Sequence, residues 1–440
     1  MRQPGPLFAV AAALLVAGTV VLALAFGNGV ETTSDAPGST ATSDPPPSDT
    51  TAQPETTVQE FDRNQLPRDL ATVSEDWATD FSRTTIAFDE LAIGIRSVPI
   101  RDRIPPIDAP VFESAATAEH VADREPGLSL ELNGEARVYP LSLLTAHEIV
   151  NDVVGGRPVA VTFCPLCNSA IAFDRTVEGR QLRFGVSGLL RNSDLVMWDD
   201  VTESLWQQLT GEGLVGRFAG AQLTFVPSAI TSFEDFTRRH PGGQVLGPDQ
   251  GFGRRYGYNP YVGYSSRTSP YESFFSQDLD DRFPALERVV NVTIGATAKA
   301  YPFSIIEPAG AVNDSVGGTD IVVLWGGDTA DALDAGEIPA AKAIGTGIAF
   351  ARTVDGQSLT FAAGGDATFT DSETGSQWDL NGTALSGPMT GTQLEPVVHG
   401  NEFWFAWAAF NPCLLYTSDA ADEFCHVVVG GVGGGVGGGG

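Results

Sequence analysis

Two stretches of this chain repeat each other in order, and this internal similarity constrains the fold more than any other feature. Residues 137–144 read RVYPLSLL and residues 299–306 read KAYPFSII, a spacing of 162. Further matches follow in the same order at spacings between 162 and 177, among them Trp206 with Trp378. We therefore predict two tandem homologous domains, 61–251 and 252–412. The second copy is diverged, and we expect it to be truncated before the closing strand of the first.

Short apolar runs separated by turn residues predict that each copy consists mostly of strands. The clearest runs are Leu128–Leu132, Ala136–Tyr139 and Val159–Phe163. The dipeptide Glu178-Gly179 predicts a hairpin turn. Residues 140–150 and Ser232–Arg239 predict short helices, the latter with Ser232 as its N-cap. The expected fold class is therefore α+β and β-rich.

The N-terminal residues 1–29 predict an export segment. Leu7 to Phe26 form an uncharged apolar run that follows Arg2. The run is long enough to span a bilayer, and it also fits the apolar part of a cleaved signal peptide, so both interpretations stay open. Arg2 favours export of everything that follows. We expect an extracytoplasmic protein, either membrane-anchored or secreted, whose contact with the membrane is this segment if it is uncleaved.

The regions that flank the predicted domains differ from them in composition. Residues 30–60 are rich in Ser, Thr, Pro and Asp, which predicts a disordered stalk. Residues 413–423 resemble the translation of a transposase adapter used in sequencing libraries, and a glycine-rich run follows. We therefore interpret 413–440 as a non-native tail. Cys413 and Cys425 lie in this tail and are therefore not candidate functional residues. Cys164 and Cys167 are the two cysteines that remain.

The net charge of the chain limits the kinds of partner that it is expected to bind. The chain carries 55 acidic and 25 basic side chains, a formal net charge of −30. Only Lys299 and Lys342 are lysines, and the other basic residues are arginines. Acid excess with little lysine is typical of proteins that work in concentrated salt, where cations screen the repulsion. So negative a chain is not expected to bind nucleic acid or anionic membrane surfaces.

The sharpest reactive motif is Cys164-Pro-Leu-Cys167. Such a pair can bind a metal, exchange disulfides or form a static disulfide. Asn168 follows Cys167 where covalent haem attachment needs histidine, so haem is excluded. Without the tail cysteines, a metal would need further ligands from elsewhere in the chain. The residues after Cys167 read as a strand, which disfavours a thioredoxin-like arrangement and favours metal binding.

The chain resembles a family catalogued as domain of unknown function 3179. The resemblance is strongest from about residue 104 to 246. The segments that carry it are HEIVND at 147–152, CPLC at 164–167, IAFDR at 171–175, ESLWQ at 203–207 and HP at 240–241. The resemblance gives the chain a family but implies no activity, cofactor or partner.

The second copy lacks the reactive side chains of the first. In the order of the repeat, Cys164, Cys167, His147, Glu148 and His240 correspond to Gly326, Thr329, Ala309, Gly310 and Asn411. Asn151, Asp152 and Gly156 persist in both copies, which indicates roles in the fold. Because the five reactive residues are lost together, we predict that they form one metal site in the first copy.

These observations favour an exported, cell-surface metal-binding protein. Two thiolates with imidazole suit copper or zinc. A thiol–disulfide redox protein and a non-catalytic surface module with a structural disulfide remain alternatives, and whether the chain is an enzyme stays open. Gly251-Phe-Gly253 lacks a βαβ context, so no nucleotide cofactor is expected. Asp174, Asp194 and Glu203 are interpreted as surface or scaffold acids. The tyrosine-rich stretch 256–271 is interpreted mainly as packing rather than as a binding platform.

Overall fold

The structure, a computed structural model, describes residues 59–60, 65–411 and 415–416. The predicted leader, nearly all of the predicted stalk and most of the predicted tail lie outside these residues. Within the described part, no helix combines the length and the apolar character that crossing a bilayer requires.

The segment that precedes the first repeat contains short elements only. They are β1 (Gln59–Glu60), α1 (Arg68–Val73), β2 (Arg83–Thr84), a 3₁₀ turn (Phe88–Glu90), β3 (Leu91–Ile93), β4 (Phe112–Ser114) and a second 3₁₀ turn (Ala115–Thr117).

The first half of the repeat is built from strands and two short helices. In chain order these are β5 (Pro126–Leu132), β6 (Glu135–Pro140), α2 (Leu141–His147), β7 (Ile149–Val154), β8 (Arg157–Cys164), β9 (Ser169–Asp174), β10 (Thr176–Val177), β11 (Arg180–Gln181), β12 (Phe184–Arg191), β13 (Asp194–Asp199), β14 (Leu205–Gln207), β15 (Gly213–Val215), β16 (Thr224–Val226), β17 (Ala229–Ser232), α3 (Phe233–Arg239) and β18 (Gln244–Leu246).

The second half follows a linking segment that contains a 3₁₀ turn (Tyr264–Ser266). Its elements are β19 (Arg288–Ile294), β20 (Thr297–Pro302), α4 (Phe303–Ala309), β21 (Ala311–Val316), β22 (Thr319–Gly326), a 3₁₀ turn (Ile338–Ala340), β23 (Thr346–Ala351), β24 (Thr353–Val354), β25 (Gln357–Ser358), β26 (Phe361–Ala363), β27 (Thr368–Asp371), β28 (Gln377–Asp379), β29 (Ala384–Ser386), β30 (Glu395–Pro396), β31 (His399–Phe403), α5 (Trp404–Phe410) and β32 (Leu415–Tyr416).

The same strand order occurs in both halves. One sheet runs β17-β5-β6-β18-β4 in the first half and β31-β19-β20-β32 in the second. Another runs β16-β9-β8-β7 and recurs as β30-β23-β22-β21. A third, β15-β14-β13-β12, recurs as β29-β28-β27-β26 and is extended in the first half by β1, β2 and β3. The β-rich class expected from the sequence is therefore confirmed.

Buried polar contacts also recur in the two halves. The side chain of Asn151 pairs with the backbone of Phe184, donating to its carbonyl at 2.8 Å and accepting from its amide at 2.9 Å. Asn313 makes the same two contacts with Phe361, both at 2.8 Å. These residues join neighbouring sheets because a side-chain amide can replace a strand's hydrogen-bonding partner. The fold role expected for Asn151 agrees with this geometry.

A second recurring contact fixes a buried tryptophan. Asp199 accepts a hydrogen bond from the indole of Trp206 at 3.0 Å, and Asp371 accepts one from Trp378 at 2.9 Å. Each aspartate also caps the turn before its tryptophan by accepting backbone amides. Both tryptophans are completely buried, as expected for core residues.

The largest of several hydrophobic clusters includes residues of both halves. It combines first-half residues such as Phe163 and Phe173 with Leu333, Phe403 and Phe405. All described residues belong to one compact unit, Glu55–Gly440. A division between residues 251 and 252 therefore stays a prediction from the sequence.

The edge position of the closing strand is occupied in the second half by β32, which lies within the residues 413–440 interpreted as a non-native tail. The expected truncation of the second copy therefore stays a prediction. The two residues of β32 pair parallel with β20, Leu415 opposite Lys299. In the first half β18 pairs parallel with β6 in the corresponding register, Gln244 opposite Arg137. A sheet edge offers backbone groups only, so a strand of quite different sequence can occupy it.

The predicted helix over 140–150 is shorter than expected, because α2 ends at His147 and a new strand starts at Ile149. The residue between them, Glu148, has a left-handed backbone, with φ 60° and ψ −30°. This conformation stops the helix and turns the chain into β7. The hairpin at Glu178-Gly179 is present as predicted, with β10 and β11 on either side, and Ser232 caps α3 by accepting from the amide of Asp235.

Candidate metal centre

A tight hairpin between β8 and β9 holds the two cysteines. Cys164 ends β8 opposite Ser169, the first residue of β9. In the loop, the amide of Cys167 donates to the carbonyl of Cys164 at 3.2 Å. Asn168 closes the turn with a φ of 53°, a left-handed conformation that asparagine tolerates. The chain after Cys167 continues as a strand, as expected.

Asp194 joins the two cysteines in one buried group. One ligand atom from each of Cys164, Cys167 and Asp194 lies within 4.8 Å of the other two. All three residues are at most 2% exposed, and both cysteines are free thiols. Asp194 reaches this place because it opens β13, which lies beside β12 in the sheet that continues to β14.

The carboxylate of Asp194 also accepts hydrogen bonds from groups other than the cysteines. Gln207 donates to it at 2.6 Å, and the amide of Leu209 donates at 2.8 Å. Burial nevertheless raises the pKa of Asp194 to about 6. Burial also raises the pKa of Cys164, and it raises that of Cys167 well above the ordinary value. Three such groups cannot all ionise in an apolar interior without a cation to neutralise them, and a bound metal ion is such a cation.

The cysteine loop is fixed from outside by the linking segment and the second half. The side chain of Asn168 donates to the carbonyl of Asn401 at 2.6 Å. The hydroxyl of Tyr264 donates to the carbonyl of Leu166 at 3.0 Å. Tyr264 is buried and its ring contacts Tyr271 and Phe403. The packing interpretation of the tyrosine-rich stretch agrees with these contacts.

Glu148 lies next to the group in an unusual backbone conformation. The residue at the corresponding end of α4 is Gly310, with φ 67° and ψ −38°. Glycine adopts such angles without a steric penalty, whereas a glutamate there is strained by about 1–3 kcal/mol. The Glu148 side chain is 8% exposed, and burial raises its pKa to about 8. Strain and burial at one residue are typical of functional positions.

A cavity of about 150 Å³ adjoins the group, and Cys164 and Glu148 both line it. Tyr261 and Tyr271 supply further polar groups to its wall. The remaining lining is apolar, and it includes Ile95, Ile104, Leu189, Leu190, Leu195 and Phe274.

The structure does not bring the two predicted histidines to this place. Both ring nitrogens of His147 already have partners, the carbonyl of Pro105 at 2.6 Å and the hydroxyl of Tyr256 at 2.8 Å. Its ring also lies against Phe252, with the ring centroids 4.6 Å apart. Burial lowers the pKa of His147, so it is a neutral packing residue. Its corresponding residue in the second half, Ala309, needs no such partners.

His240 is the second of these histidines, and it belongs to another part of the molecule. Its ring lies 3.9 Å from the carboxylate of Glu131 and lines a separate cavity of about 310 Å³ together with His399. Of the five predicted ligands, the structure thus places Cys164, Cys167 and Glu148 in one region. The two histidines lie outside it.

Loss of a reactive residue in the second half does not identify Asp194 as a ligand. Asp366 follows the repeat's spacing from Asp194, so the acid looked like a scaffold residue common to both copies. In the structure, however, Asp366 is exposed while Asp194 is completely buried. The usable signal was local, because Asp194 begins the apolar strand sequence Leu-Val-Met-Trp and stands where a charge is costly.

The fold and the site together define a β-rich protein with a buried group of two cysteines and one aspartate that can hold a metal ion. Comparison with known proteins gives the family. A family model described as "Protein of unknown function (DUF3179)" matches residues 101–413, and the chain belongs to this family. No curated protein and no solved structure matches the chain.

Proposed function

We propose that the chain is an exported metal-binding protein whose metal ion is held by Cys164, Cys167 and Asp194. The observation that carries the proposal is the convergence of three ligand atoms within 4.8 Å in a fully buried place. Two of them come from one hairpin and the third from a neighbouring sheet, so the fold itself assembles the set.

The ligand chemistry favours zinc over copper. Zinc accepts both thiolate and carboxylate ligands and is commonly four-coordinate. Copper(I) prefers soft sulfur ligands, and a carboxylate adds little for it. Three protein ligands leave one tetrahedral position for a further group. Glu148 is the nearest candidate among the predicted ligands, since it shares the cavity wall with Cys164.

Two alternatives fit the geometry less well. A reactive redox cysteine needs a lowered thiol pKa, as at a helix N-terminus. Here burial raises the pKa of both thiols, and they lie on a β-hairpin. A static crosslink would join Cys164 to Cys167, which are free thiols in the structure. Thiol–disulfide exchange and a structural disulfide are therefore outcomes for the experiment to exclude.

We also propose that the two halves arose by internal duplication and that only the first kept the site. The recurring strand order supports this, together with the matched contacts of Asn151 and Asn313. Export is supported by the apolar run near the N-terminus, and adaptation to salt by the acid excess.

Metal analysis of the full chain tests the main proposal. We expect one zinc per chain in the protein as it is, and loss of that metal in a Cys164→Ser/Cys167→Ser double variant. Asp194→Asn should weaken binding at least tenfold. A Cys413→Ser/Cys425→Ser variant is the matched control and should keep the metal. Zinc retained without Cys164 and Cys167, or an intact disulfide between them in the isolated protein, would show that the proposal is wrong.

A further inference from the structure

The cavity beside Cys164 has a composition that points to a bound small molecule. Most of its lining is aliphatic or aromatic, and Glu148, Cys164, Tyr261 and Tyr271 contribute polar side-chain groups. No lysine, arginine or histidine is among its lining residues. This combination of a mainly apolar wall with a few convergent polar groups is characteristic of ligand sites.

Three polar groups on this wall have no partner in the described protein. Among the hydrogen bonds of residues 65–411, none involves the carboxyl of Glu148 or the hydroxyl of Tyr261 or Tyr271. Of the three residues only Glu148 is buried, at 8% exposed, whereas Tyr261 and Tyr271 are half-buried. Leaving a buried polar group without a partner costs about 1–3 kcal/mol. The wall therefore presents hydrogen-bonding capacity that the protein itself does not use.

The backbone of Glu148 is a second, independent observation. The fold accepts glycine at this point, as Gly310 shows at the end of α4. The first half nevertheless has a glutamate there, in a strained conformation and 92% buried. Neither the fold nor a hydrogen bond within the described protein explains this carboxyl group, whereas a bound group does, either a ligand in the cavity or the metal ion of the proposed function.

A cavity bordered by second-half residues and by the α3 region of the first half includes the positions that correspond to Glu148 and Cys164. It is bordered by Gly310, Gly326 and Ala363, which stand where Glu148, Cys164 and Val186 stand in the first half. Its volume is about 580 Å³. At the corresponding positions the first half therefore has larger side chains, and those of Glu148 and Cys164 are polar.

From these observations we infer that the chamber binds a small uncharged molecule of about the size of benzene, carrying one hydroxyl or carbonyl group that hydrogen-bonds to Glu148 and Tyr261. The size follows from the volume, because a dry cavity of about 150 Å³ accommodates benzene. The lining disfavours an anion, since no basic side chain is present to pair with one and burying an unpaired ion is costly. The distinction between an uncharged and a cationic ligand is the part of the inference that the butylamine probe tests. That such a molecule would also reach the metal ion rests on the proposed function.

Phenol is a suitable probe for the chamber. Its binding to the full chain can be measured by saturation-transfer NMR and by calorimetry, with benzoate and butylamine as charged probes of similar size. We expect phenol to bind more tightly than either. Leu190→Trp should fill the chamber and weaken phenol binding at least tenfold, and Glu148→Gln should weaken it several-fold. Leu385→Trp, at an exposed leucine of the second half, is the matched control and should leave binding unchanged.

The outcomes for the chamber and for the metal can be separated. Cys167 does not line the chamber, so Cys167→Ser should reduce metal binding while phenol still binds. Phenol binding in a protein that never binds metal would support the chamber and overturn the proposed function. Bound metal without phenol binding, or tighter binding of benzoate or butylamine, would overturn the chamber as inferred. Near-ultraviolet circular dichroism establishes that each variant is folded, and if Leu190→Trp is not, Leu190→Phe takes its place.

Discussion

The carbonyl of Cys167 accepts a 2.9 Å hydrogen bond from the amide of Phe403. A strand of the second half therefore fixes the position of a ligand in the first. The neighbouring contact from Asn168 to the carbonyl of Asn401 acts on the same loop. The candidate metal centre thus depends on both halves, although all of its ligands lie in one.

Replacing Asn168 tests this dependence. Asn168→Ala removes the bond to Asn401 and places alanine in a left-handed conformation. We expect a loss of about 1–3 kcal/mol in the free energy of unfolding, together with weaker metal binding. Asn133→Ala is the matched control, because Asn133 also has a left-handed φ, of 51°, and donates to a carbonyl, that of Gly155 at 2.7 Å. The control should lose stability but keep its metal affinity. Equal metal affinity in both variants would contradict the proposed support.

Glu148→Gly should make the metal-free protein more stable. The change relieves the left-handed strain and removes a buried carboxyl, and we expect a gain of about 1 kcal/mol or more in chemical denaturation. Glu178→Gly serves as the comparison, since Glu178 has a φ of 49° but is exposed. The gain should be larger at 148 than at 178. A destabilised Glu148→Gly protein would mean that the glutamate serves the fold.

Asp199→Asn and Asp371→Asn should have similar effects. Each aspartate acts only as an acceptor, from an indole, from backbone amides and from the hydroxyl of Thr202 or Thr374. In an asparagine, an NH2 group replaces one acceptor oxygen and would face those donors. We therefore expect the free energy of unfolding to fall by about 1–3 kcal/mol in each variant. Thermal and urea unfolding can measure both. A large effect in one half and none in the other would argue against equivalent roles.

Stability should fall as the pH rises from about 4.5 to about 8, in part because of Glu402. Burial raises the pKa of Glu402 to about 8 in the folded protein. Over this window the folded state retains a proton that the unfolded state has released. The unfolded state binds fewer protons, so the free energy of unfolding decreases with pH.

Glu402→Gln should flatten this dependence and stabilise the protein most at the alkaline end. Urea unfolding at several pH values measures the slope. Glu395→Gln, at an exposed residue of β30, provides the control and should leave the slope unchanged. An unaltered slope in Glu402→Gln would show that this carboxyl does not hold its proton in the folded state.

The repeat made much of the fold predictable, because residues such as Trp206 and Asn151 recur with the same spacing as Trp378 and Asn313. The cysteines were predictable as a pair, since their motif is local. Asp194 was harder to predict, because in an acid-rich chain its place at the start of an apolar strand is a weak signal until its burial is known. The prediction of His147 and His240 as metal ligands failed for a related reason. His147 differs from Ala309, but its two hydrogen-bonding partners, Pro105 and Tyr256, are distant in sequence.

The hairpin of β22 and β23 forms with Gly326 and Thr329 in place of the cysteines. If the two halves arose by duplication as proposed, the second half has kept the strand pairing without the thiol pair. Selection on Cys164 and Cys167 can therefore act separately from selection on the architecture. Among family members, the presence or absence of this cysteine pair should indicate whether a protein has the metal site, whereas the surrounding sheets should indicate only common ancestry.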